Sequence, residues 1–292
     1  MKILVFGRTG QVARALIAAG PAAEVEITAL GRDAADLTNP AACAAIIAAS
    51  DADAVINAAA YTAVDAAETD EATARIVNAD APTAMAQACA AKNIPFVHIS
   101  TDYVFDGSAG AAWKPTDPTG PLGAYGRTKL AGEKGVTHAG GTFAILRTAW
   151  VFDANGKNFV TTMLRLSETR DALTVVADQI GGPTPADAIA AACLTIAKTL
   201  AAGQEASGIY HFSGAPDVSW ADFARAIFDI ADRDVTVTDI TTADYPTPAT
   251  RPANSRLDCT GTEAAFGIAR PDWRSALAKM LTQRTSSRRT IV

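Results

Sequence analysis

The sequence predicts an α/β fold: a doubly wound parallel sheet followed by a smaller C-terminal lobe. Three observations predict it. Five short apolar runs recur along the first half, separated by alanine-rich stretches of helical propensity. A glycine turn closes the first run, and beyond residue 150 the alternation breaks into Gly, Pro and Asn punctuation. Strands that alternate with helices pair in parallel, since each crossover helix carries the chain back to start the next strand in the same direction.

The runs span residues 3–6, 25–30, 54–57, 96–99 and 143–146. They assign residues 1–149 to the first unit and residues 150–292 mainly to the second lobe. The loop-like stretches DANGKN, DQIGGPTP, SGAPDVSW and YPTPATRPANSR belong to that lobe. Residues 185–201 nevertheless read as a helix and 208–212 as a strand, so segments around 180–213 are expected to return to the main sheet, with an interleaved boundary.

At 292 residues, 49% hydrophobic and 19% charged, the chain can bury a core without staples. A net charge of −6 argues against a nucleic-acid partner, which calls for a basic face. Cys43, Cys89, Cys193 and Cys259 stand far apart, none in a metal-ligand spacing, and read as reduced packing residues. No metal site is expected. The opening MKILVFGRTG is too short for a signal peptide or a span, which makes a cytoplasmic location and no membrane contact the default. The tail from Gln283, with Arg284, Arg288 and Arg289, reads as a solvated terminus.

The first strand runs straight into Gly7-Arg8-Thr9-Gly10-Gln11-Val12-Ala13 and then a helix-forming stretch, the context a dinucleotide turn requires. Gly7 and Gly10 let the backbone turn and bring its amides against a pyrophosphate at a helix N-terminus, with Ala13 at the packing position. The sheet is therefore of Rossmann type. Asp36 and Leu37 follow the second strand, and the small residues from Asn57 to Ala60 end the third, where open parallel sheets bind ligands. Arg32 suits a ribose 2′-phosphate, and no acidic residue stands at the very end of the second strand, so NADPH and NADH both stay open.

Chemistry is suggested by Ser100-Thr101-Asp102 after the fourth strand and by Tyr125 and Lys129, four apart on one helix face. A tyrosine beside an ammonium is expected to ionise more readily and to shuttle a proton near neutral pH, while Thr101 hydrogen-bonds the same substrate oxygen. Glu133, four beyond Lys129, reads as an ordinary helical ion-pair partner.

These residues resemble the extended short-chain dehydrogenase/reductase superfamily, and within it the dTDP-4-dehydrorhamnose reductases. The resemblance spans nearly the whole chain. Its carriers are FGRTGQVA (6–13), INAAAYTAVDAAE (56–68), HISTDYVFDG (98–107), YGRTKLAGE (125–133), RTAWVF (147–152), NFVTTMLRL (158–166), DQIGGPT (178–184) and YPTPATRPANSRLD (245–258). The first and fourth are common across the superfamily, and the last three are far more specific.

The resemblance implies NAD(P)H-dependent reduction of the 4-keto group of dTDP-4-dehydro-L-rhamnose, with Tyr125 as proton donor and Lys129 and Thr101 as its catalytic partners. It places Gly7, Gly10, Gln11, Val12, Asp36, Leu37, Ala60, Tyr61 and Thr62 at the cofactor, with Lys129 on the nicotinamide ribose. Val64, Asp102, Trp150, Asn158 and Arg251 fall at the nucleotide-sugar. A nucleotide-sugar epimerase and a non-catalytic NADP-binding regulatory subunit remain as alternatives. One departure concerns the magnesium-bridged dimers of some members: here the first helix reads Ala13-Arg14-Ala15 and the later one Pro185-Ala186-Asp187-Ala188, without the glutamates such a bridge needs. A monomer without bridging magnesium is expected.

Overall fold

The structure is a computed structural model that describes residues 1–289, with side chains as far as Thr282. The tail from Gln283 is helical as far as Arg289, while its side chains and residues 290–292 fall outside that description. The first half comprises β1 (Lys2–Phe6), α1 (Gln11–Ala19), β2 (Glu26–Leu30), α2 (Pro40–Ala49), β3 (Ala54–Asn57), the short α3 (Val64–Ala67) and α4 (Glu71–Arg75), α5 (Ala81–Lys92), β4 (Phe96–Thr101), α6 (Ala124–His138) and β5 (Phe143–Thr148). The second half adds β6 (Val151–Phe152), α7 (Phe159–Leu166), β7 (Ala172–Val176), β8 (Ile180–Gly181), β9 (Thr184–Pro185), α8 (Ala186–Ala201), β10 (Gly208–His211), β11 (Val218–Ser219), α9 (Trp220–Ile230), β12 (Thr236–Ile240), β13 (Asn254–Ser255), α10 (Thr260–Phe266) and α11 (Trp273–Arg289).

The main sheet has six strands in the order β10-β5-β4-β3-β1-β2, every pairing parallel. Alternation along each strand feeds two cores. Ile3 and Val5 face α1 and α8 with Leu16, Ile189 and Ile196, while Leu4 and Phe6 face α2 and α5 with Ile47, Met85 and Phe96. The order reverses between β1 and β3, and the crevice beyond their carboxyl ends is the switch point where such sheets bind ligands.

Two strands outrun their apolar stretches. β4 and β5 continue to Thr101 and Thr148, which stand opposite each other in register. Ser100, Thr101, Arg147 and Thr148 are all buried although polar, so a count of apolar residues stops short of the strand ends. α8 packs on α1, and β10 pairs with β5, so the chain does re-enter the main sheet after residue 180. The helix begins at Ala186 because Pro185 is engaged with Phe152 in the β6–β9 pair. The smaller lobe has its own core, in which Phe152, Val160, Phe223, Ile227, Trp273 and Leu277 join α7, α9, α11 and the β7–β12 pair. All four cysteines are free and buried. Among the described residues no helix is long and apolar enough to cross a membrane.

Candidate active site

A cleft of about 1230 Å³ opens over the carboxyl ends of β1, β3, β4 and β5. Its first wall is the glycine turn. Gly7 has φ +116°, and a Cβ there would lie 3.2 Å from the Ala58 carbonyl oxygen and 3.4 Å from Ala13 Cβ, so both conformation and close approach exclude a side chain. At Gly10 a Cβ would meet only Ala58 O, at 3.9 Å, so the space above it is open. No side chain caps α1, and no acid stands in its first turn, which leaves its leading N–H groups available to an anion.

Gln11, Val12, Arg32, Asp36, Leu37, Ala60, Tyr61 and Thr62 line the same cleft. Arg32 is exposed and pairs loosely with Asp36 at 3.4 Å. Sequence reading passed over Arg8, which reaches from the glycine turn to Asp33 at 2.9 Å and so brings a second guanidinium to the end of β2. Tyr61 is held by Asn78, whose Oδ1 accepts from Tyr61 N at 2.8 Å and whose Nδ2 donates to Tyr61 O at 3.1 Å. Asn78 sits in a single π-helical turn between α4 and α5, a local irregularity that recurs at functional sites.

Thr101, Asp102, Tyr125 and Lys129 meet at the deep end. α6 reaches them through glycine: a Cβ on Gly126 would lie 2.2 Å from Tyr103 O, and one on Gly132 would lie 2.0 Å from Asn78 O. Thr101 Oγ1 donates to Asp102 Oδ1 at 3.0 Å and accepts from Tyr103 N at 3.2 Å. Burial pushes the Tyr125 hydroxyl up to about 12, against a hydrogen bond with Thr101. Burial brings Lys129 down to about 8. The expected easing of Tyr125 ionisation by an adjacent ammonium is therefore absent here: Lys129 Nζ turns to Ile99 O at 2.7 Å and to His98 Nε2 at 3.1 Å, and desolvation of the phenol dominates.

Glu133 also departs from expectation. It is fully buried, and both its oxygens are taken by Arg147 of β5, at 2.9 and 2.7 Å, with Ser100 Oγ donating at 2.5 Å. Among the described residues Thr148 Oγ1 and Asp102 Oδ2 are buried without a hydrogen bond of normal geometry, and burial raises the Asp102 carboxyl to about 6 against the Ser255 and Thr101 hydroxyls, which lower it.

At the sugar side, Val64, Trp150 and Asn158 line the cleft. Trp150 has φ +49°, a left-handed conformation costly for a bulky residue, and its ring stacks on Trp220 at 3.5 Å. Asn158 spends its side chain on structure: Oδ1 caps α7 through Thr161 N, and Nδ2 donates to Gln11 Oε1 at 3.0 Å. Arg14 likewise ties Thr9 O to Asp153, so the 153–158 loop is tethered to the glycine turn. Arg251 is the one sequence-selected residue outside the cleft wall. It makes a two-pronged pair with Asp65 at 2.9 Å each and donates to Thr247 and Ala249 O, so its fork is already occupied.

The RmlD substrate binding domain family matches residues 1–286. The chain belongs to that family. A relative from Sinorhizobium fredii, named dTDP-4-dehydrorhamnose reductase, is 46% identical over 288 residues, 96% of this chain and 97% of the relative. A crystal structure of a dTDP-4-dehydrorhamnose reductase from Clostridium acetobutylicum superposes with a TM-score of 0.91 at 36% identity, covering 97% of this chain and 99% of the other. A dTDP-4-dehydrorhamnose reductase from Bacillus anthracis, solved in complex with NADP, gives 0.89 at 30% identity over 97% and 99%. Membership of the RmlD substrate binding domain family thus covers both the glycine turn and the C-terminal lobe.

Proposed function

We propose that the chain reduces the 4-keto group of dTDP-4-dehydro-L-rhamnose to give dTDP-L-rhamnose, with NADPH or NADH as reductant. The observation that carries this reading is that one cleft joins an uncapped glycine-turn helix to buried Thr101 and Lys129 and the half-buried Tyr125 between them. Relatives of matching length named for that reduction support the substrate.

The residues fit a nicotinamide dinucleotide. Gly7, Gly10, Gln11 and Val12 would cradle its pyrophosphate, Asp36, Leu37, Ala60, Tyr61 and Thr62 would flank the rest, and Lys129 would hold the nicotinamide ribose. When bound, it supplies a hydride to the carbonyl carbon. Negative charge then develops on the carbonyl oxygen, and the chain's task is to stabilise and protonate it. Tyr125, neutral across the physiological range because its hydroxyl titrates near 12, still has its proton to give. Thr101 would share that oxygen, and Asp102 and the Thr148 hydroxyl, which has no hydrogen bond of its own, would meet sugar hydroxyls. Val64 and the Trp150 ring would border the nucleotide-sugar.

Arg32 and Arg8 together suit a 2′-phosphate, which favours NADPH over NADH. Arg32→Ala is expected to raise KM about tenfold for NADPH and little for NADH, the loss of one charge-assisted contact. The decisive assay follows NADPH absorbance with dTDP-4-dehydro-L-rhamnose in the native chain and in Tyr125→Phe. Turnover that falls at least 100-fold in the variant is expected; turnover that survives would remove Tyr125 from its role, and none in the native chain would remove the reading.

A further inference from the structure

Beneath the cleft floor lies a run of side chains that the reaction above does not use. His98 of β4 is fully buried and stands in register with Asn57 of β3. Its Nδ1 lies 3.1 Å from Asn57 Nδ2, and its Nε2 lies 3.1 Å from Lys129 Nζ. Burial, with Lys129 alongside, holds the imidazole well below its ordinary titration range, so it is neutral, with one N–H and one lone pair.

Which nitrogen carries the proton follows from the neighbours. Ala59 N–H needs an acceptor, and Asn57 Oδ1 is 3.1 Å away. That orients the carboxamide with Nδ2 toward His98, so Nδ1 accepts and the proton sits on Nε2. Nε2–H then points at Lys129 Nζ. An ammonium there, with three N–H groups and no lone pair, would set donor against donor. An amine accepts from Nε2–H and still donates to Ile99 O at 2.7 Å.

We propose that His98 is a positioning residue for the reduction: held as its Nε2–H tautomer by Asn57, it hydrogen-bonds Lys129 as an uncharged amine and sets the pH at which that lysine becomes charged. The other titratable or charged groups packed around Lys129 are Tyr125 and Glu133 on its own helix, Asp102 after β4, and Arg147 on β5, which already claims both oxygens of Glu133. None of them offers Nζ a hydrogen-bond partner, which leaves His98 and Ile99 O to hold it. The proposal rests on the reading of Lys129 as Tyr125's partner, but its first test does not.

That test is ¹⁵N NMR of the free protein near pH 9, above the value of about 8 to which burial brings Lys129. The chain has three histidines, and His211 is an internal reference. His211 Nδ1 faces Trp113 O at 2.9 Å while Nε2 faces Arg147, which only donates, so His211 must carry its proton on Nδ1. Opposite tautomers for His98 and His211 are expected; an Nδ1–H His98 means a charged Lys129 and overturns the proposal whatever the substrate is.

The second test compares pH profiles of turnover. A glutamine carboxamide reaches the Nε2 position and, unlike the imidazole, turns an oxygen to an ammonium. His98→Gln is therefore expected to move the Lys129 limb about one pH unit upward. His98→Asn reaches only Asn57 and should not reproduce that shift. A Gln profile with reduced amplitude and an unmoved limb would make His98 purely structural and end the proposal.

Discussion

Asp102 is a carboxyl group shut away from water, with one oxygen paired to Thr101 and the Ser255 hydroxyl close enough to hold it down against burial. Burial lifts it to about 6 from the 3.8 of an open chain. An acid whose folded value is raised adds stability that is present below the unfolded value and lost as pH rises through the folded one. From about pH 4 to about pH 6 the folded state should therefore weaken, and above that Asp102 costs about 3 kcal/mol. Asp102→Asn should unfold at a higher temperature than the native chain at pH 7.5, with the gain fading near pH 4, while turnover falls. Equal melting temperatures at pH 7.5 would mean that the carboxyl is not strained. Lys129 has the complementary sign: its folded value near 8 lies below the ordinary 10.5, so its cost is full below pH 8 and is relieved as pH rises toward 10.5.

At the scale of elements, α6 is the part the site depends on most, and two glycines set how close it comes. A Cβ on Gly132 would lie 2.0 Å from Asn78 O, and that neighbour is backbone, which cannot swing aside. Gly132→Ala should therefore push α6 away from the π-helical turn, destabilise the chain by about 1–3 kcal/mol, and loosen the grip of Asn78 on Tyr61. The expected kinetic mark is a raised KM for the cofactor; a stable variant with unchanged KM would show that the turn is not coupled to the cleft. Tyr125 and Lys129 were legible from the sequence because a four-residue spacing stacks side chains on one helical face. Gly126 and Gly132 gave no such signal, since the backbone oxygens of Tyr103 and Asn78 that they clear lie 23 and 54 positions away in the chain.

For the whole molecule, the cleft is enclosed by side chains from both halves, and Arg14–Asp153 and Asn158–Gln11 tie the lobe's loop to the glycine turn. α1 spends its one basic side chain, Arg14, on that tether rather than on a partner. Among the described residues no group of three His, Cys, Asp or Glu side chains is placed to hold a metal. A monomer whose sedimentation coefficient is indifferent to millimolar magnesium is the expected outcome. A magnesium-dependent rise to the value of a dimer would reverse that expectation.

Periodicity, a glycine turn and a spacing of four are local properties, and with them the sequence alone determined the parallel sheet, the dinucleotide crevice and the Thr101, Tyr125 and Lys129 cluster. The tertiary structure decided what depends on distant partners. Glu133 looked like a helical neighbour of Lys129, yet β5 brings Arg147 to it from 14 residues away. Arg251 looked free to take a diphosphate, yet Asp65, 186 residues distant, fills its fork. Asn57 read only as a strand end near a ligand and His98 carried no signal at all, and only strand register makes them the floor beneath Lys129. Burial, too, belongs to the fold: water shields a charge in the extended chain, and once packing removes that water, Tyr125, Lys129 and Asp102 each shift toward their neutral forms.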